Sequence, residues 1–318
     1  MDELRAVLRT EYGIDAGAVS PVAGGWSALV YKVESAQGAY FLKVYEKKRS
    51  GAAAQLERLD LCMAAASWLE NHTGLTGRIN APLFTKNGRV RAETQSHAYL
   101  LFSYIEGVTL RTTPLTVRQQ EELAEIVGQL HRFREMPFDF SSIRETYDIP
   151  CAQLIKMPEK PDAPLCVYRQ RDMLMWAIEQ AHTLSTRIKA ENPPFVLCHA
   201  DIHGWNLMQG DKLVLIDWES IKFAPAEADL YAVWGDWYWG DSKWGGYWDV
   251  FLPVYRRLCP GYAVREEFLR FYQIRRHIED INDFYRQYIH DDMTVEETRD
   301  VVSSLERECA CLRVLTQR

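Results

Sequence analysis

Apolar and polar residues alternate in short runs over residues 19–45, a pattern typical of β-strands. The runs VSPVAGG, ALVYKVES and AYFLKVYE are three strand candidates, and AQG supplies the turn between the last two. Helical spacing follows at about 52–71, and then NAPLFTK and AYLLFSYI predict two more strands. Residues 1 to about 13 have the pattern of a short amphipathic helix ended by Gly13. The first hundred residues therefore predict a small lobe of five strands with one main helix.

Beyond Glu106-Gly107 the chain becomes mainly helical. Apolar residues recur at three- and four-residue spacing in TVRQQEELAEIVGQLHRF, VYRQRDMLMWAIEQAHTLSTRI, REEFLRFYQIRRHIEDINDFYRQYI and TVEETRDVVSSLERECACLRVL. One β segment interrupts these helices. We therefore expect an α+β protein with a small N-terminal antiparallel β-sheet lobe over 1–105 and a larger, mainly helical lobe over 106–318.

A loop and a hairpin in the second lobe carry the candidate chemistry. The buried-strand run FVLC leads into HADIHGWN, and NLMQGDKLVLID has the pattern of a hairpin with a two-residue Gly210-Asp211 turn. In that register Asn206 faces Leu215, and Asp217 lies two residues further along on the same face. Both side chains can then reach one metal ion.

Oxygen ligands of this kind suit magnesium, which needs few protein ligands when nucleotide phosphates supply the others. Asn206 and Asp217 are therefore the predicted metal ligands. Asp201 lies in the loop and is available to accept a proton from a substrate hydroxyl. The alternative is that His199, Asp201 and Asn206 only bond the loop backbone. The following strand, which ends in an Asp at this register, favours catalysis.

The segments VLCHADIHGWNL and LIDWESIKFAPAEADL, and more weakly RRHIEDINDFY, resemble the aminoglycoside phosphotransferase and choline kinase-like family, most of all its spectinomycin kinase branch. The resemblance spans both lobes in order and is specific in the catalytic segment. It implies a bilobal protein-kinase-like fold. It also implies that Asp201 is the catalytic base, that Asn206 and Asp217 bind Mg2+, and that Asp229 supports the catalytic loop.

A lysine in the third strand candidate is the expected phosphate contact. Lys43 lies in AYFLKVYE, where kinase-like folds hold a lysine against the nucleotide phosphates. The alternative is a solvent-facing strand residue. The following helix offers Glu57 as an ion-pair partner that would orient Lys43, with Asp60 as the second choice on the same helical face.

Two further nucleotide contacts are expected in the first lobe. Gly24, Gly25 and Ser27 lie between two strands, where a tight turn brings backbone amides to phosphate. A plain hairpin turn would use the same glycines. The resemblance implies that the backbone groups of Ser103 and Ile105, in LLFSYIEG, meet the adenine edge. ATP is accordingly the expected donor, with Mg2+ as cofactor.

The phosphoryl acceptor is expected to be a small, cationic molecule. Only eleven residues separate Asp217 from Asp229, and Asp-Phe-Gly is missing, which disfavours a peptide substrate. The segment LYAVWGDWYWGDSKWGGYWDVF is dense in tryptophan and carries acids, so it suits an amino sugar or a quaternary ammonium. Core packing is the alternative for each ring.

The candidate substrate contacts lie in this segment, in the catalytic loop and on a later helix. His203 is expected to position the substrate or the loop. Acids on RRHIEDINDF would add negative charge to the pocket, unless the neighbouring basic residues neutralise them. The set comprises His203, Asp236, Trp237, Trp239, Glu279 and Asp280, and the neutralising residues would be Arg275, Arg276 and His277.

The composition supports a globular enzyme. With 318 residues, 47% of them hydrophobic, the chain can bury a core for two lobes. A net charge of −7 disfavours nucleic acid as a partner, and no apolar run approaches the length that crosses a membrane. Seven cysteines without zinc-site spacing indicate reduced thiols in a cytoplasmic protein. A monomer or a homodimer is expected.

Together with the family resemblance, these patterns imply an ATP-dependent phosphotransferase that moves the γ-phosphate to a hydroxyl of a small, cationic molecule, with an aminoglycoside or an aminocyclitol such as spectinomycin as first choice. A choline-like or sugar metabolite kinase is the nearest alternative. A protein kinase, or a pseudokinase that serves as an interaction module, is less favoured. Four predicted catalytic and binding residues argue against the pseudokinase, because an inactive site would not require all of them. They are Lys43, Asp201, Asn206 and Asp217.

Overall fold

The computed structural model describes residues 1–22, 28–133, 137–157, 165–234, 236–239 and 242–316. The helices are α1 (Asp2–Val7), α2 (Ala52–His72), α3 (Val117–Arg132), α4 (Ala152–Ile155), α5 (Leu165–Arg169), α6 (Arg171–Glu191), α7 (Glu227–Leu230), α8 (Trp248–Leu258), α9 (Glu266–His290) and α10 (Val295–Thr316). The strands are β1 (Ala16–Pro21), β2 (Leu29–Ser35), β3 (Gly38–Glu46), β4 (Pro82–Leu83), β5 (Ala92–Glu93), β6 (His97–Ser103), β7 (Val108–Thr109), β8 (Val196–Cys198), β9 (Leu207–Gln209), β10 (Leu213–Leu215), β11 (Lys222–Ala224), β12 (Asp236–Trp239) and β13 (Ser242–Gly245).

The chain forms two compact units. The first comprises Met1–Thr109, Pro137–Ser142 and Trp205–Ile221, and the second comprises Leu110–Met136, Ile143–Gly204 and Lys222–Arg318. The hairpin that follows Asn206 therefore belongs to the first unit. The nucleotide-binding role of 1–105 and the substrate-binding role of 106–318 remain predictions.

An antiparallel sheet forms the centre of the first unit. Its strand order is β1-β2-β3-β6-β4, and β5 also pairs with β6. Leu42 and Val44 of β3 are buried in one cluster with Leu101 of β6. Successive side chains of a strand point to opposite faces, so Lys43 projects away from that cluster.

The N-terminal helix covers this apolar cluster. Leu4 of α1 is buried in it, and the chain continues as a π-helical turn, Leu8–Tyr12. That turn ends at Gly13, whose φ of 74° is the left-handed conformation that glycine adopts without strain. The predicted helix and its end are confirmed.

The hairpin before Asp217 has a different register from the predicted one. Leu213 pairs with Gln209 and Leu215 pairs with Leu207, so the loop contains three residues rather than two. Asn206 then lies opposite Ile216, whose N–H donates to the Asn206 carbonyl at 2.9 Å. The predicted pairing of Asn206 with Leu215 is wrong.

A third strand explains this register. β7 pairs with the outer edge of β9 and keeps Gln209 within the strand. The approach is so close that a Cβ on Gly107 would lie 2.6 Å from the Gln209 carbonyl oxygen. Asp217 lies beyond β10 with a φ of 67°, so strand alternation does not set the direction of its side chain.

The second unit is mainly helical and is centred on α9, which packs on α4, α6, α7 and α10. Apolar residues at three- and four-residue spacing, such as Phe271, Ile274 and Ile278, are buried along α9. α3 begins with a capping box in which Thr116 and Gln119 bond each other's backbone. The strand pair β8 and β11 supplies the predicted β interruption. Within the described residues, no helix is long and apolar enough to cross a membrane.

Candidate active site

Lys43 of the first unit is held by two carboxylates. Its Nζ lies 2.9 Å from Asp217 Oδ1 and 2.6 Å from Glu219 Oε1. Burial alone would lower the pKa of Lys43, but the two carboxylates outweigh that effect and raise the pKa above its ordinary value. The ammonium therefore stays charged at neutral pH, as a phosphate contact requires.

Glu219 fixes Lys43 in position. Its Oε1 also accepts a hydrogen bond from the Tyr45 hydroxyl, and its Oε2 accepts one from Gln55 Nε2 at 3.0 Å. Burial raises the pKa of Glu219, and Lys43 opposes that shift. Both oxygens of Glu219 are thus engaged by protein donors, which hold the carboxylate against Lys43.

The predicted ion pair between Lys43 and Glu57 is not formed. Glu57 is exposed on α2, and Asp60 accepts from Arg91 Nε at 2.9 Å. α2 instead turns Gln55 toward Glu219. Sequence reasoning missed Glu219, although it lies two residues after the predicted metal ligand Asp217 in IDWE.

Asp217 fits the predicted metal ligand. Its side chain is 34% exposed. In the part of the chain that the structure describes, its carboxylate bonds Lys43 through Oδ1. A hard, partly exposed oxygen next to a lysine suits Mg2+, which takes one or two carboxylates and several waters. Asn206 is 5% exposed, and its role as the second ligand remains a prediction.

In the second unit, Asp229 holds the backbone of the loop before Asp201. Its Oδ2 accepts the His199 N–H at 2.9 Å and its Oδ1 accepts the Ala200 N–H at 2.6 Å. Ala200 has a φ of 63°, a strained left-handed conformation for alanine. The carboxylate thus stabilises a backbone that the sequence alone disfavours.

A buried histidine extends this network. His131 Nε2 lies 3.0 Å from Asp229 Oδ2, and its Nδ1 lies 2.8 Å from the Tyr255 hydroxyl. Cys198 Sγ is close enough for these three side chains to suggest a metal site. Burial raises the pKa of the Cys198 thiol well above its usual value, and the thiol lies 3.5 Å from the Pro225 carbonyl. The group is therefore a hydrogen-bond network that supports the loop.

Asp201, the predicted base, is charged and paired. Arg276 Nη1 donates to its Oδ1 at 2.6 Å, and His203 Nε2 lies 3.3 Å from the same oxygen. Burial would raise the pKa of Asp201, but Arg276 and His203 hold it well below the usual range. The carboxylate is therefore ionised at neutral pH, which is the form that a general base requires. Arg276 was not predicted as its partner.

The acids predicted on α9 have different surroundings. Asp280 Oδ2 accepts from Arg276 Nε at 2.8 Å, so the neutralising alternative holds for this residue. Glu279 lines a solvent-open cavity within the second unit, together with Ala200, Tyr231 and Arg276. Burial raises the pKa of Glu279, but Lys222 and the neighbouring arginines outweigh it and lower the pKa. An ionised carboxylate thus lines the same cavity as Ala200, the residue that precedes Asp201.

The remaining predicted contacts are only partly described. Ser103 is exposed at the end of β6, and Ile105 is half-buried beyond it. Gly24, Gly25 and Ser27 lie outside the described residues. The backbone of β12 is described, but the side chains of Asp236, Trp237 and Trp239 lie outside the description. The nucleotide and substrate roles of these residues remain predictions.

Residues 18–268 match the family described as the phosphotransferase enzyme family, APH. The chain belongs to that family. It is a small-molecule phosphotransferase, and the predicted family resemblance is confirmed. The family match includes the lysine strand, the catalytic loop and the hairpin with Asp217.

Relatives and solved structures agree with this assignment. A protein of Streptomyces griseus named StrN is 23% identical over 67% of this chain, and the match spans 65% of that protein, just under two thirds of its length. A probable ketoamine kinase of Staphylococcus aureus is 25% identical, over 86% of this chain and 91% of its own. The structure of a spectinomycin phosphotransferase with ADP and spectinomycin has a TM-score of 0.73 at 19% identity, covering 100% of this chain and 98% of that one. The protein-kinase-like fold is thereby confirmed.

Proposed function

We propose that the protein transfers the γ-phosphate of ATP to a hydroxyl of a small, cationic molecule, with an aminoglycoside or aminocyclitol such as spectinomycin as first choice. The observation that carries the proposal is the Lys43–Asp217 ion pair, in which the lysine of a β-strand meets the carboxylate that follows a hairpin. This pair is the arrangement that binds nucleotide phosphates with a metal in kinase-like enzymes.

Each residue has one role in the proposed reaction. Lys43 binds the phosphates, held by Glu219. Asp217 and Asn206 would coordinate Mg2+, which neutralises charge on the β- and γ-phosphates when it is bound. Asp201 orients the acceptor hydroxyl and takes its proton at a carboxylate oxygen. The hydroxyl oxygen then forms a bond to phosphorus as the bond to ADP breaks.

Three observations support a cationic acceptor. The chain carries a net charge of −7. The Glu279 carboxylate is ionised beside the cavity near Ala200, and an ammonium group would pair with it there. A solved structure of similar fold contains spectinomycin, which carries amino groups. A sugar metabolite such as a ketoamine is the second candidate, favoured by the Staphylococcus relative, and a choline-like alcohol is the third.

The proposal includes ATP as donor, action in the cytoplasm and a monomeric or homodimeric state. Free cysteines without disulfides, Cys62 and Cys309 among them, suit a reducing compartment. ADP in the spectinomycin phosphotransferase structure supports an adenine nucleotide as donor. Competition of GTP with ATP in the same assay tests donor choice.

An acceptor panel tests the proposal. Purified protein with MgATP is offered spectinomycin and other aminocyclitols, choline, fructosamines, simple sugars and a peptide mixture, and ADP release and labelled product are followed. We expect turnover with an amino-bearing alcohol and loss of it in Asp201→Asn. Turnover with choline alone would replace the proposed substrate class, and labelled peptide alone would make the protein a protein kinase. An Asp201→Asn variant with undiminished transfer would refute the base assignment.

A further inference from the structure

Arg276 on α9 joins the candidate base to a second carboxylate. Its Nη1 donates to Asp201 Oδ1 at 2.6 Å, and its Nε donates to Asp280 Oδ2 at 2.8 Å. The Arg276 side chain is 21% exposed and each carboxylate is 17% exposed, so water screens these ion pairs only partly.

The neighbours of Arg276 on the helix do not share this role. Arg275 Nη1 donates to Glu145 at 2.7 Å, and His277 Nδ1 lies 2.8 Å from Glu308. These contacts serve the interior of the second unit. Arg276, by contrast, bonds the catalytic loop through Asp201.

The geometry of a guanidinium makes this contact directional. Its donors lie in one rigid plane, so a bond from Nε to Asp280 fixes where Nη1 points. The backbone before Asp201 is fixed by Asp229, which binds the N–H groups of His199 and Ala200. A fixed backbone still allows rotation of the Asp201 side chain, and the bond from Arg276 restricts that rotation.

Building on the proposed function, we propose that Arg276 is a positioning residue: Asp280 holds the guanidinium, and the guanidinium holds the Asp201 carboxylate in one orientation for the acceptor hydroxyl. Arg276 contacts neither the acceptor nor the phosphates in this scheme. Its effect on the reaction passes through Asp201.

Other titratable groups also face Asp201. His199 and His203 of the loop favour its charged form, whereas Glu279 of α9 opposes it. Arg276 is first among the groups that favour the ionised carboxylate. Among the described residues, the titratable groups that interact with Asp201 include His199, His203, Tyr231, Arg276 and Glu279. Loss of Arg276 should therefore move the protonation of Asp201 to higher pH.

Kinetics of Arg276→Gln and Arg276→Lys test this role. In Arg276→Gln we expect kcat to fall about tenfold to a hundredfold with the acceptor KM nearly unchanged, and the acidic limb of kcat/KM to move up by about one pH unit. Arg276→Lys keeps the charge but loses the planar fork, so its acidic limb should stay in place while kcat stays low. Guanidinium ion at millimolar concentration should restore part of the activity of Arg276→Ala.

Controls separate this inference from folding and from the proposed function. Arg286→Gln removes another arginine of α9, one that pairs with Asp283 at 3.3 Å, and should keep wild-type kinetics. If Arg276→Gln does not fold, Asp280→Asn releases the guanidinium while its charge remains, so kcat should fall without an upward shift of the acidic limb. Where no alcohol of the panel is turned over, ADP release with water as acceptor is measured.

Two outcomes decide the result. The inference is overturned if Arg276→Gln and Asp280→Asn both keep wild-type kcat and the wild-type acidic limb while Asp201→Asn is inactive. In that case the proposed function stands. An active Asp201→Asn variant overturns the base assignment and the inference together.

Discussion

Glu219 and Lys43 form an ion pair that is largely shielded from water, with the side chains 8% and 13% exposed. Glu219→Gln keeps the size and most hydrogen bonds of the side chain. It removes one of the two carboxylates that pair with the Lys43 ammonium. We expect the KM for ATP to rise and kcat/KM to fall about tenfold, because a lost charged hydrogen bond costs about 1.5–3 kcal/mol and Asp217 retains part of it. Steady-state kinetics with varied ATP measures this.

The matched control is Glu57→Gln. Glu57 is exposed on α2, so its replacement should change kcat/KM by less than about twofold. Equal losses in the two variants would contradict the assignment of Glu219 as the partner of Lys43.

Lys43 and Asp217 could be predicted as site residues from the sequence because each lies at a recognisable position, Lys43 within a strand and Asp217 after a hairpin. Glu219 could not be predicted in this way. The apolar pattern of α2 places Glu57 and Asp60 on one exposed face, and only the packed helix reveals that Gln55 is the residue turned to the site. The spacing of apolar residues predicts that α2 is a helix, but it does not fix which residue of α2 faces Lys43, because that depends on how the helix packs in the folded protein.

Asp280 carries a pH dependence of stability. Burial raises the pKa of Asp280 to about 7, although Arg276 opposes the shift, whereas an unfolded Asp titrates near about 3.9. Between these values the folded protein binds more protons than the unfolded chain. The free energy of unfolding contributed by Asp280 is therefore fully present below the lower value and is lost as the pH rises through the upper one.

Asp280→Asn should remove this dependence. We expect the contribution of Asp280 to the free energy of unfolding to fall as the pH rises from about 4 to 7, by about 1.4 kcal/mol for each unit of pKa shift, so the slope of stability against pH should be more negative in the wild type than in the variant. Urea unfolding at several pH values gives the slopes. Asp172→Asn, at an exposed position of α6, should keep the wild-type slope. Identical slopes for all three proteins would rule out a raised pKa at Asp280.

At the scale of elements, the hairpin before Asp217 depends on two glycines, Gly107 and Gly210, at which the backbones of the two segments approach closely. A Cβ on Gly107 would lie 2.6 Å from the Gln209 carbonyl oxygen, closer than real Cβ contacts allow. Gly107→Ala should separate β7 from β9 and lower the free energy of unfolding by about 1–3 kcal/mol. Because β9 follows Asn206 directly, we also expect a higher KM for MgATP.

Gly17→Ala in β1 is the control. Its Cβ would lie 3.5 Å from the Glu34 carbonyl oxygen, an ordinary contact, so stability should change by less than about 0.5 kcal/mol. Thermal unfolding of both variants measures the difference. A Gly107→Ala variant as stable as Gly17→Ala would show that β7 and β9 do not require this approach.

Most elements could be predicted because their apolar periods are local. β2, β3, α2 and the long helices of the second unit all follow from spacing at two or at three and four residues. The hairpin register could not be predicted, because the Gly210-Asp211 pair favours a two-residue turn. The strand that pairs with Gln209, β7, lies about a hundred residues earlier in the chain. The residues next to Gln209 in the sequence therefore do not indicate this pairing.

At the scale of the whole molecule, a ligand that binds only the folded protein raises its stability. At a hundred times its dissociation constant, a non-hydrolysable ATP analogue should add about 2.7 kcal/mol. We expect this gain to be larger with Mg2+ than with EDTA, because Asp217 offers the metal a partly exposed carboxylate. Calorimetric unfolding measures the gain under both conditions.

Asp217→Asn separates the metal contribution from nucleotide binding itself. The variant lacks the carboxylate, so Mg2+ should no longer increase the stability that the ATP analogue adds. The stability that the analogue adds in EDTA should fall by a smaller amount. Asp60→Asn, at a 57% exposed position paired with Arg91, should keep the full Mg2+ increment. An undiminished increment in Asp217→Asn would mean that the metal is held by other ligands. Asn206→Ala would then be the next variant to measure, because the buried amide is the remaining predicted ligand.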